Sequence, residues 1–98
     1  MVKGKTKSGF NFEYDERILN DYALLEAIAK FDGAETKMQS VGALTEIVDY
    51  ILGDEKKRLM EHIASQNDGF RPVDKIQTEM LEIISKSNEL KNSQSSPE

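Results

Sequence analysis

His62 is the single histidine of the chain, and Glu61 precedes it directly. An imidazole and a carboxylate together can serve as general base and orienter. The spacing defeats this pair, because adjacent residues on a helix point about 100° apart. No His-Glu-x-x-His sequence accompanies it, so the helical zinc-site pattern is absent. The favoured reading of His62 is a surface or boundary residue. Carboxylates are scattered through the chain, among them Asp15, Asp21, Asp32, Asp54, Glu79 and Glu82. Most fall at expected helix caps or on solvated faces, and the sequence selects no pair for acid–base work. Asn67-Asp68-Gly69 is too short for a calcium loop, which spreads its oxygen ligands over about 12 residues ending in Glu. Gly53-Asp54-Glu55 opens a helix, a position suited to anions, but two carboxylates already occupy that end. Gly4, Gly9 and Gly33 fit no phosphate-cradling pattern. Cysteine is absent, which removes disulfides, thiolate zinc sites and thiol nucleophiles together. The expectation is a protein that is not an enzyme and takes no metal or cofactor.

Lys3, Lys5 and Lys7 form the one basic stripe, with Phe10 and Phe12 nearby. Aromatics among lysines can stack on single-stranded nucleic acid. The charge distribution argues for a solvated face instead. Residues 1–14 carry three Lys against Glu13, a net of +2, which leaves −7 elsewhere in a chain whose total is −5. A uniformly basic nucleic-acid clamp is therefore disfavoured. The 98 residues suit one small domain, and 38% apolar with 32% charged residues suits a helical one. No apolar run approaches the roughly 18 residues of a membrane span. The lysines near the N-terminus have no apolar stretch behind them, so no secretory signal is read there, and cytosol is the expected compartment.

Side chains of these types need elements to place them. Residues 2–15 read as a β-hairpin, since Phe10, Phe12 and Tyr14 alternate with Asn11 and Glu13. Two registers are open around Ser8-Gly9. A two-residue loop puts the three lysines on the aromatic face. A three-residue loop, Lys7-Ser8-Gly9 with Gly9 left-handed, pairs Thr6 with Phe10 and sets Lys3 opposite Glu13. The second agrees with burial and charge pairing and is preferred. Ile18 and Leu19 fit a short turn. A first helix follows over about 20–32, capped by Asn20 or Asp21, with Tyr22, Leu25, Ile28 and Ala29 on its apolar face, Leu24 and Phe31 beside it, and Gly33 as a left-handed stop. A second runs over about 36–52 on Val41, Leu44, Val48 and Ile51. Asp54 is the expected cap of a third over 54–66, which carries Leu59, Met60 and Ile63 and stops at Asn67-Asp68-Gly69. Asp74 and Gln77 have capping-box spacing for a fourth over 74–91, with Ile76, Met80, Ile83 and Leu90 inward. Residues 92–98 read as a disordered polar tail, and 1–91 as a single domain. The expected fold class is mainly α, a small bundle of about four helices with an N-terminal β-hairpin.

The apolar faces are wide. Ile47, Val48, Tyr50, Ile51 and Leu52 nearly encircle the end of the second helix, and Leu81, Ile83 and Ile84 broaden the fourth. A domain of this size either packs compactly around them or leaves the excess for a partner. Met38, Met60 and Met80 lie on or beside these stripes, where core packing is the simpler reading than a pliable binding surface.

Residues Lys5-Thr6-Lys7-Ser8-Gly9-Phe10-Asn11-Phe12-Glu13-Tyr14-Asp15 lead into Leu19-Asn20-Asp21-Tyr22 and Leu24-Leu25-Glu26-Ala27-Ile28-Ala29. Further on come Ile51-Leu52-Gly53-Asp54-Glu55, Leu59-x-Glu61-His62-Ile63, Arg71-Pro72-Val73 and Glu79-Met80-Leu81-Glu82-Ile83. In their order and spacing, across about residues 3–86, these segments resemble the small tail assembly chaperones of long-tailed, siphovirus-type phages of Gram-positive bacteria. The resemblance implies a non-enzymatic protein, encoded by a phage or prophage and acting in the bacterial host cytoplasm. It implies binding of the long helical tape measure protein, which such chaperones keep soluble until the tail tube polymerises around it. It also implies a frameshifted longer form in many such phages, whose extra domain recruits the tail tube subunit; Asn92 is a natural junction.

A chaperone of a helical client needs exposed apolar surface and reversible contacts. Phe10, Phe12, Tyr14, Tyr22, Phe31 and Tyr50 are the candidate partner-binding residues, set against the reading that most of them form the domain's own core. Two rival functions stand beside this one. An acidic inhibitor or antirepressor would bind a nucleic-acid-binding partner, although Asp54-Glu55-Lys56-Lys57-Arg58 interleaves both signs and spoils a phosphate mimic. A homo-oligomeric structural component would form a defined ring or dimer without a client. Neither membrane nor nucleic acid is an expected partner.

Overall fold

Alternation and turn chemistry form the hairpin in the register preferred above. The computed structural model describes residues 1–95, with side chains through residue 87. Strand β1 (Val2–Lys5) pairs antiparallel with β2 (Asn11–Tyr14), matching Val2 with Tyr14, Lys3 with Glu13 and Gly4 with Phe12. Beyond the strands, Thr6 N donates to Phe10 O at 2.9 Å, and Gly9 takes φ +101°. That conformation is nearly free only for glycine and closes the loop. Gly4 is required for a second reason. A Cβ there would sit 2.9 Å from the edge of the Phe12 ring.

A 3-10 turn over Glu16–Asn20 follows, capped by Asp15. Helix α1 (Tyr22–Asp32) starts on Asp21, whose carboxylate accepts from Ala23 N at 2.8 Å. Helix α2 (Lys37–Leu52) starts on Thr36, whose hydroxyl oxygen accepts from Gln39 N at 3.1 Å. Helix α3 spans Lys56–Gln66, and α4 spans Val73–Ser95. The protein is mainly helical, with an N-terminal two-stranded hairpin.

Several boundaries differ from expectation, each for a backbone reason. Gly33 has φ −90°, not a left-handed value. Its N–H reaches Ala29 O at 2.9 Å and Ala34 N reaches Phe31 O at 3.3 Å, so the helix unwinds without a positive φ. Asp54 caps nothing, because Gly53–Glu55 forms a 3-10 turn that runs straight into α3. Helix α4 begins at Val73, since the Pro72 carbonyl accepts from Lys75 N and Ile76 N. Asp74 therefore lies inside the first turn rather than at a cap. Residues 92–95, expected in a disordered tail, continue α4. The rest of that tail, 96–98, lies outside the described residues, as does the side chain of Leu90.

One contiguous core joins all these elements. The hairpin contributes Val2, Phe10, Phe12 and Tyr14; α2 contributes Leu44, Ile47, Val48 and Ile51; Leu59, Ile63, Met80 and Ile83 come from α3 and α4. Strand β1 lies against α4, and α1 packs along α2. The face that α1 turns inward is not the expected one. Leu24 and Ala27 are buried, with Ile28 and Phe31 half-buried, while Tyr22, Leu25 and Ala29 are exposed. Ala27, like Ala43 of α2, is small and buried; small residues at a contact let two helix axes approach closely.

Candidate functional site

The aromatic face of the hairpin is a core face. Phe10, Phe12 and Tyr14 are at most 5% exposed, so these three candidate partner-binding residues have no free surface to offer. The period-2 pattern that makes them conspicuous is the pattern of burial against helices. Phe12 and Tyr14 stack with centroids 6.1 Å apart. Tyr14 donates its hydroxyl to Ile83 O at 2.9 Å. Burial pushes that hydroxyl up to about 12, and the charge of Glu16 adds to the effect. Phe10 sits under the Arg58 guanidinium, 4.5 Å from its ring centre, a cation–π contact.

Tyr22 is exposed, Tyr50 lies at the edge of exposure, and Phe31 is half-buried against the core. Tyr50 donates its hydroxyl to Asp21. That bond, and then the Ala23 N–H, holds the Asp21 carboxyl below the usual range, while Asp21 raises the Tyr50 hydroxyl. Of the six aromatics, three are therefore core, one bridges α1 to α2, and Tyr22 and Phe31 retain accessible surface on α1.

Among the described residues, two places bear most on function. The first joins the hairpin tip to α3 and α4, and the sequence offers no hint of it. Ser8 Oγ donates to Glu79 Oε2 at 2.8 Å and lies 3.0 Å from His62 Nε2. Thr6 Oγ1 is 3.2 Å away, Gln66 Nε2 donates to Ser8 O at 3.0 Å, and Lys7 N donates to Glu82 Oε1 at 2.8 Å. A Ser, a His and a Glu within reach of one another invite a triad reading. Their order is wrong for it. A nucleophile's histidine must accept the hydroxyl proton while the acid orients the histidine. Here the serine O–H donates to the carboxylate, which leaves Ser8 Oγ to accept from Nε2–H of His62. Among the described residues no carboxylate meets the other ring nitrogen. The cluster is a polar clip that fastens the turn to two helices. Glu79 is 6% exposed and its Oε1 has no partner among the described residues.

The second place is an apolar groove. Its floor is Leu44 and Ile47 of α2. Ile28 and Phe31 of α1 form one wall; Met80, Leu81 and Ile84 of α4 form the other. The open groove holds about 180 Å³, below the roughly 300–1,000 Å³ of small-molecule pockets. It admits side chains from a neighbouring surface rather than a whole ligand. Leu81 is 60% exposed at its rim, and Leu25, 45% exposed, precedes Ile28 by one turn. Both leucines fall on stripes read as inward-facing or flanking in the sequence. Helix period alone does not say which side of a wide stripe the neighbours cover.

Among the described residues no cluster of His, Asp and Glu could hold a metal ion, and no helix is long and apolar enough to cross a membrane. No protein-family model, no curated protein and no solved structure matches this chain.

Proposed function

We propose that this protein is a non-enzymatic chaperone of the phage tail assembly type, which holds an apolar helical client, the tape measure protein, soluble during tail morphogenesis. The observation that supports the reading is the groove between α1 and α4, with an exposed leucine on either side. A client helix laid there would cover Leu25, Phe31 and Leu81, which the protein's own elements leave partly open. Recognition would be by apolar anchors at one-turn spacing in a preformed groove. The client-binding residues in this reading are Phe31 and Tyr22 of the original aromatic set, together with Leu25 and Leu81.

Co-expression with a tape measure protein encoded in the same genome tests it. Soluble client co-purifying with this protein, and lost on Leu81→Lys, is the expected result. An aggregated client, with this protein purifying alone, would refute the reading.

A further inference from the structure

The sequence holds two Asp–Gly bonds, Asp32–Gly33 and Asp68–Gly69, and no Asn–Gly bond. The carboxyl of an aspartate can reach the backbone nitrogen of the next residue, and a glycine there puts no Cβ in the way. Ring closure joins the glycine nitrogen to Cγ. The amide proton and the acid's hydroxyl depart as one water, leaving a five-membered imide. Water then adds back at either carbonyl. Addition at Cγ breaks the new bond to nitrogen and restores aspartate. Addition at the α-carbonyl breaks the original C–N bond and leaves the backbone running through Cγ, an isoaspartate of unchanged mass.

Attack needs the amide proton released and the nitrogen turned toward Cγ, so a glycine N–H held in a hydrogen bond must open first. Both bonds are closed in this way at a helix end. Gly33 N donates to Ala29 O at 2.9 Å, and Gly69 N donates to Ala64 O at 2.8 Å. Both aspartates are exposed. The closures differ in what holds them. Asp32 is the last residue of α1, and Phe31 beside it packs against the core. Asp68 has φ +55°, the one positive value at a non-glycine position among the described residues. Aspartate tolerates that conformation better than most side chains, but it is still strained. Phe70, which follows Gly69, is 71% exposed. The turn over 67–69 therefore opens without uncovering the core, the mark of a segment with low local stability.

We infer that Asp68 is the residue at which this chain isomerises first, gated by the Gly69 N–H bond, and that the packed end of α1 holds Asp32 back. The product carries one extra backbone atom between Asp68 and Gly69. That shift removes Gly69 N from Ala64 O and loosens the connection between α3 and α4.

The test ages the full chain at neutral pH, folded in buffer and unfolded in urea. Each Asp–Gly peptide is quantified by chromatography with electron-transfer fragmentation, which separates the two isomers. In urea the two sites should convert within about twofold of each other, because little but the local sequence acts there. In the folded chain both should slow, and Asp68 should outpace Asp32 by about fivefold or more. Amide exchange gives an independent reading, with the Gly69 N–H exchanging faster than the Gly33 N–H by a similar factor. Asp68→Glu lengthens the side chain beyond a five-membered ring and should leave no product there, with conversion at Asp32 unchanged. Equal conversion of Asp32 and Asp68 in the folded chain would overturn the inference. So would conversion of Asp68 as fast folded as in urea, since the Gly69 bond would then gate nothing.

Discussion

Asp21 performs two tasks with one carboxylate. It caps α1 through the Ala23 N–H and ties α1 to α2 through the Tyr50 hydroxyl. Both bonds are stronger to the ionised form, so its folded pKa lies below that of the unfolded chain, about 3.9. The stabilisation is present above that value and is lost as pH falls through the folded pKa. Asp21→Asn should lower the melting temperature at pH 7, and the gap to wild type should close in melts below about pH 3.9. A gap constant down to acid pH would assign the loss to side-chain shape rather than charge. Ser8 is the second residue with more than one partner. Ser8→Ala would leave the buried Glu79 carboxylate with no bond on either oxygen, an orphaning worth about 1–3 kcal/mol. Denaturant unfolding should show this as a shift of the midpoint at unchanged slope. His62 and Glu79 are 17 residues apart in sequence and Ser8 lies 54 residues before His62, so no spacing rule brings the three together.

Each helix pairs a local start signal with a face chosen by its neighbours. Thr36 is the cap of α2 by type and by geometry. Thr36→Ala should cost about 1 kcal/mol, as other helix caps do, read as a fall in denaturation midpoint. The faces are less local. On α4, Ile83 is wholly buried and Leu81, two residues earlier, is 60% exposed. Ile83→Ala should therefore cost about 2–5 kcal/mol. Leu81→Ser should change stability by no more than about 0.5 kcal/mol, the usual scale at an exposed position. The same pair of unfolding curves distinguishes a core stripe from a surface stripe on one helix. On α1, Tyr22 and Leu25 sit at helical spacing with Ile28, yet α2 covers the Leu24 and Ala27 side. The periodicity was compatible with both sides, because leucine, isoleucine, phenylalanine and tyrosine surround much of that helix.

At the scale of the whole molecule, the hairpin is part of the core rather than an appendage. Two strands alone are not stable in water, and Phe10, Phe12 and Tyr14 take the place that another helix would fill. Phe10→Ala should cost about 3–5 kcal/mol, a large fraction of what a small domain has. Loss of near-ultraviolet dichroism at 37 °C would register it; a variant as stable as wild type would contradict the burial. The apolar excess lies instead on α1 and α4, where it leaves the groove. From the sequence alone the elements were legible, including the hairpin register, since alternation, the glycine at the turn and the Lys3–Glu13 pairing agree on one answer. Asp21 was one of the two caps read for α1, and the start of α2 at Thr36 was read to within a residue; both capping bonds reach neighbours two or three residues away. Burial of the aromatics, rotation of α1, the clip at Ser8 and the place of the groove were decided by tertiary structure. Those features depend on which face meets which between separate elements, from α1 against the neighbouring α2 to Ser8 against His62, 54 residues on. A side chain's own type and spacing carry no record of the partner that covers it.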